Sequence, residues 1–100
     1  MRANILIRVS GAQRVLALIM EGQEFRGGFR FRNGYFEREF RNFPIEIDRK
    51  LDIGLLVGGL PRRECELTVK VKRGNVEKEK SDTEDFGSRG WAIFKMEVEL

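Results

Sequence analysis

Residues 26–32, Arg26-Gly27-Gly28-Phe29-Arg30-Phe31-Arg32, interleave guanidinium groups with aromatic rings. On sheets that bind single strands, cations meet phosphates while rings stack on bases. Residues 26–43 hold five Arg (Arg26, Arg30, Arg32, Arg38, Arg41) and two Glu (Glu37, Glu39), a surplus of three that equals the net charge of the whole chain, +3. A nucleic-acid contact on this segment would use Arg26, Arg30, Arg32, Tyr35 and Arg41. Two observations oppose it. Alternation along a strand sends the Phe side chains and most of the Arg to opposite faces, whereas a stacking platform needs both together. Glu37 and Glu39 also lie among the Arg, where phosphate would be repelled.

Catalytic constellations are scarcer. The chain has no His, which removes the usual general base, the usual partner of a Ser or Cys nucleophile and the commonest zinc ligand. Cys65 is the single cysteine. It falls on the apolar phase of its strand, so it is expected to be a small buried hydrophobe. Paired carboxylates can perform acid and base work on glycosides, but nearly every Glu here neighbours Arg or Lys at an outward strand position, where surface pairing is the ordinary role. Asp82, Glu84 and Asp85 precede Gly87 and invite a calcium-loop reading. Counting Asp82 as the first ligand, the fifth position is Phe86 and the twelfth is Ile93, so two oxygen donors are missing. No catalytic, cofactor-binding or metal-binding residue is assigned, and no enzyme activity is expected.

These side chains must be held by a single domain spanning residues 1–100, because 100 residues with 41% apolar content can bury one modest core. Residues 4–9 place Ile5, Ile7 and Val9 at spacing two and stop at Ser10-Gly11. Residues 14–20 are apolar throughout after Arg14, as in a strand buried on both faces or a short helix capped by Ser10; the length and the flanking turns favour the strand. Asn33-Gly34 between residues 29–32 and 35–41 is a strong hairpin signal, since a type I′ turn requires positive φ at both positions. The register from that turn sets Arg32 opposite Tyr35, Phe31 opposite Phe36, Arg30 opposite Glu37 and Phe29 opposite Arg38. One face then carries Phe29, Phe31, Phe36 and Phe40, and the other Arg30, Arg32, Glu37, Glu39 and Arg41, with Tyr35 at its end.

After Phe43-Pro44, the alternation of Ile45, Ile47, Leu51, Ile53 and Leu55 fits one bent strand or two short ones, ending near Gly58-Gly59. Residues 64–72 alternate cleanly, with Cys65, Leu67, Val69 and Val71 inward. Residues 75–80, rich in Glu and Lys, suit a protected edge. Residues 81–90 are polar and expected to be a loop, and residues 91–100 form a last strand with Ala92, Phe94, Met96, Val98 and Leu100 inward. About seven to eight strands at this length predict an all-β fold, a small antiparallel β-sandwich of immunoglobulin-like type.

The N-terminal apolar stretch is too short for a leader core or a membrane span. With one cysteine this points to a reducing compartment, the cytoplasm of a cell or of an infected host. Few Asn and Gln beside many Glu and Arg resemble the balance of heat-adapted proteins. The expected function is that of a non-catalytic binding or structural module without a cofactor. It would dock on a protein partner or build a larger assembly, of which a virion is one kind, and Trp91 and Ile93, opposite the inward set of the last strand, are the candidate contact. The alternative is a nucleic-acid-binding protein using the hairpin of residues 26–43, and a soluble chain that does not enter the membrane is expected in either case.

Overall fold

The computed structural model describes residues 2–45 and 50–100. Nine strands follow in order: β1 (Arg2–Ser10), β2 (Arg14–Met20), β3 (Gln23–Phe25), β4 (Arg30–Arg32), β5 (Tyr35–Pro44), β6 (Lys50–Gly58), β7 (Glu64–Arg73), β8 (Val76–Asp85) and β9 (Trp91–Glu99). They form two antiparallel sheets, one ordered β4-β5-β1-β7-β8 and the other β3-β2-β6-β9. The inward residues of both sheets meet in one core, as in a β-sandwich. No helix among the described residues is long and apolar enough to cross a membrane.

The period-two pattern is visible strand by strand. In β1 the inward set is Ala3, Ile5, Ile7 and Val9; in β7 it is Cys65, Leu67, Val69 and Val71; in β9 it is Ala92, Phe94, Met96 and Val98, all buried. Leu51, Ile53, Leu55 and Val57 of β6 complete the facing layer, while Ile47 of the expected alternation lies outside the described residues. The type I′ hairpin is present as expected. Asn33 and Gly34 have φ of 55° and 84°, and Arg30, Phe31 and Arg32 pair with Glu37, Phe36 and Tyr35. Placing the turn placed the register, because a two-residue loop leaves no slack.

Four expectations require correction. Residues 14–20 are a strand, but not one buried on both faces: Leu18 and Met20 point inward while Leu16 and Ile19 are exposed. Residues 81–85 are not loop; they continue β8 opposite Glu64 to Thr68, because the ladder to β7 satisfies their backbone even though every side chain of the strand is exposed. Phe31 belongs to the inward phase yet is 62% exposed. Its strand is three residues long at the sheet edge, and the ring packs edge-on to Phe36 at 4.9 Å. Phe86 is the opposite case. Expected in a polar loop, it is 1% exposed and seats its ring against the backbone of Gly59, where an added Cβ would lie 2.4 Å from the ring.

The two sides of the sandwich are closed differently. Between β3 and β5, Phe25, Phe40 and Phe43 form a ring cluster with centroids 5.0 to 5.9 Å apart. Arg38 lies 4.4 Å over Phe40 and 5.3 Å over Phe25 and donates to the Gly27 carbonyl at 2.8 Å. This guanidinium covers rings and is not on the outer face. On the other side, Lys80 of β8 donates to the Glu97 carbonyl of β9 at 2.9 Å. The β8 residues across from the inward side chains of β7 are Lys78, Lys80, Asp82 and Glu84, and inward-phase charge at an edge deters pairing with another chain.

Candidate functional site

Apart from Arg26, which follows β3, the candidate contact residues lie on strands, and the cross-strand rows of the outer faces can be read from the register. On the five-stranded sheet one row runs Arg30, Glu37, Arg8, Thr68, Ser81 and the next Arg32, Tyr35, Ser10, Glu66, Thr83. A third contains Glu39, Leu6, Lys70 and Glu79. Opposite charges are direct neighbours in Arg30, Glu37 and Arg8 of the first row and in Lys70 and Glu79 of the third. Arg8 donates through Nε to Glu37 at 2.6 Å and lies 5.9 Å over the Tyr35 ring, Arg41 pairs with Glu39 at 2.8 Å, and Thr68 and Ser81 share a hydroxyl hydrogen bond at 3.0 Å. Arg26 stands away from this face and pairs with Glu24 at 3.0 Å. The structure therefore brings Arg30, Arg32 and Tyr35 together, and leaves Arg26 and Arg41 apart from them, each with its own carboxylate.

The outer face of the four-stranded sheet has another character. Its rows are Arg14, Gly58, Trp91; then Ala17, Leu56, Ile93; then Glu24, Ile19, Gly54, Lys95. Trp91 is 42% exposed, Ile93 47% and Ile19 47%. Between Ile19 and Lys95 the absence of a side chain at Gly54 leaves an open depression of about 390 Å³, bordered also by Asp52 and Glu97. Next to the middle row, a bulge between Val15 and Ala17 leaves Leu16 exposed as well. Trp91 and Ile93, chosen from the sequence, thus sit at one margin of a wider apolar surface. Ala17, Ile19 and Leu56 belong to it and were missed. The signal for them was the unbroken apolar run of residues 14–20, which with one face inward must leave apolar side chains outside.

Cys65 is 2% exposed and its Sγ donates to the Glu84 carbonyl at 3.4 Å. Burial, with Glu84 and Asp85 nearby adding negative charge, pushes the thiol up to about 11, so at neutral pH it is protonated and a poor nucleophile. Among the described residues no group of three or more His, Cys, Asp or Glu side chains is placed to hold a metal ion. Comparison with protein-family models, with curated proteins and with solved structures finds no match for this chain.

Proposed function

We propose that this chain is a non-catalytic binding module that docks on a protein through the outer face of β3-β2-β6-β9. The observation that carries this reading is the apolar outward row of half-buried Ala17 and Leu56 and exposed Ile93, with exposed Trp91 above it and exposed Ile19 below. Single exposed apolar residues are ordinary on soluble domains, but a contiguous patch rimmed by charge is the usual mark of an interaction surface. Trp91 and Ile93 offer large apolar area at low conformational cost, as interface anchors do. The likeness to immunoglobulin-like modules is one of layers and size, and it supports a docking role by analogy only. The nucleic-acid reading ranks below it, because Glu37 and Glu39 already engage Arg8 and Arg41 on the charged face and would repel phosphate.

The test is site-specific cross-linking in the native source. A photo-reactive phenylalanine analogue introduced at Ile93 is expected to capture a protein, while the same group at Glu66 on the opposite outer face captures none. Equal yields from both positions, or none from position 93, would refute docking through this face.

A further inference from the structure

β8 is ten residues long, every one of its side chains is exposed, and it forms one edge of the five-stranded sheet. The two-residue turn at Gly74-Asn75 makes Arg73 and Val76 a hydrogen-bonded pair, so the even-numbered residues of β8 point their N–H and C=O groups at β7. The odd-numbered residues from Glu77 to Asp85 point theirs away from it. Thr83 agrees with this, since its N–H donates to the carboxylate of its neighbour Asp82 at 2.9 Å. A row of backbone groups thus stands open to another strand.

The charges of β8 decide which strand that is. Across from the inward side chains of β7 it carries Lys78, Lys80, Asp82 and Glu84, two cations followed by two carboxylates. These charges deter an unrelated edge, but they complement their own reverse. An antiparallel copy centred on Ser81 sets Lys80 against Asp82 and Lys78 against Glu84, each pair occurring once on either side of the centre. Both are non-hydrogen-bonded pairs, in which facing side chains lie closest. The neighbouring registers fail. Centring on Lys80 or on Asp82 sets that residue against itself, and one step further faces Lys78 with Lys80 or Asp82 with Glu84. Centring between two residues puts even positions opposite odd ones, so donors no longer meet acceptors. In the favoured register Glu77 meets Asp85 on the outer face at each end, where solvent screens them and Lys72 lies across from Glu77.

We infer that β8 pairs antiparallel with β8 of a second copy of this chain about a two-fold axis at Ser81, joining two five-stranded sheets edge to edge. The N–H of Thr83 then passes from Asp82 to the Glu79 carbonyl of the other copy, which frees the Asp82 carboxylate for Lys80 across the axis. The axis stands perpendicular to the sheet, so the apolar outer faces of both copies look the same way and the dimer is bivalent for docking. The pairing uses none of that face and holds whether or not docking occurs there. It is made of backbone bonds and exposed ion pairs with little apolar area, so it is reversible and weakens with salt.

Sedimentation velocity of the full chain from about 1 μM to about 1 mM reads the association. The parent is expected to pass from monomer to dimer across this range. Ser81→Pro removes an N–H that β7 does not use and sets a ring in the path of the second strand, so this variant stays monomeric with a circular dichroism spectrum like the parent's. The double variants Lys78→Glu, Lys80→Glu and Asp82→Lys, Glu84→Lys turn every inward pair into a repulsion. Each alone associates at least about tenfold more weakly than the parent, and the two mixed in equal amounts associate again. Under mild oxidation Ser81→Cys cross-links two copies, while Glu79→Cys, opposite Thr83 in this register, does not. A parent monomeric throughout, a dimer that survives Ser81→Pro, charge variants that stay apart when mixed, or cross-linking from position 79 equal to that from position 81 overturns the inference.

Discussion

The two outer faces of this sandwich are built from the same strand geometry and reach opposite solutions. On the five-stranded sheet the outward side chains are charged or polar but for Leu6 in the rows described, and cation and carboxylate are neighbours in Arg30, Glu37 and Arg8 and in Lys70 and Glu79. Glu37 is taken up by Arg8, Glu39 by Arg41 and Glu79 by Lys70, so these carboxylates are engaged within the sheet. On the four-stranded sheet the corresponding positions are Ala17, Leu56 and Ile93, apolar side chains of which the first two are half-buried and the last is exposed. Composition cannot distinguish these cases, since the whole chain has nearly balanced charge. The assignment of residues to rows distinguishes them, and the rows exist only once the strands are in register.

Both faces depend on the core they share, so the widest break is made there. Phe86→Ala is expected to destabilise the domain by about 3 to 5 kcal/mol, the usual cost of deleting a buried ring, read as a lower urea midpoint with the slope unchanged. Phe86 plugs the end of the core from a loop against Gly59. A midpoint close to the parent's would mean that the plug is not part of the core, and the faces would then have to be assigned on a different packing.

The second test asks whether the core side of the charged sheet is as dry as that comparison requires. Cys65 titrates near 11 when folded, against about 8.5 for a free thiol. As pH rises above the unfolded value, the unfolded chain loses its thiol proton while the folded chain keeps it. The unfolded state then binds fewer protons, so stability falls with pH. The contribution of this group is whole below about pH 8.5 and is lost as pH rises towards 11. The parent is therefore expected to lose stability in that window by more than Cys65→Ala does, and iodoacetamide should label Cys65 in the native protein only slowly at neutral pH. Rapid labelling without unfolding would place the thiol at the surface.

How much of this could be read from the sequence depended on whether a rule was local. The Asn33-Gly34 turn, the inward set of β7 and the inward set of β9 follow from neighbours in the chain, and they hold. Phe31 and Phe86 show where locality ends. Periodicity gave Phe31 the correct face but not its burial, because burial at an edge depends on what the opposite sheet extends over. Phe86 has no periodic context at all, and the polar residues around it hid a core side chain. The apolar outer face was half legible: Trp91 and Ile93 stand out on their own strand, but Leu56 joins them only through the pairing of β6 with β9, which no local pattern specifies.

The smallest expected effect addresses the charged face itself. Arg30 and Arg32 are exposed on a three-residue edge strand, and Arg30 sits opposite Glu37, whose carboxylate is already engaged by Arg8. Exposed pairs of this kind contribute about 0 to 1 kcal/mol, so Arg30→Ala, Arg32→Ala is expected to change stability by no more than about 0.5 kcal/mol. Stability alone therefore says little about what the face does, and binding must be measured. The parent is expected to bind a single-stranded oligonucleotide no tighter than the weak non-specific range at physiological salt, about 10⁻⁴ to 10⁻⁶ M. The variant should be indistinguishable from it within a few-fold, because the neighbouring carboxylates already repel phosphate. Submicromolar binding that is lost in the variant, with a slope of log affinity against log salt shallower by about 0.7 for each contact removed, would invert the comparison. The charged sheet would then be the working face, and the apolar rows would need another explanation.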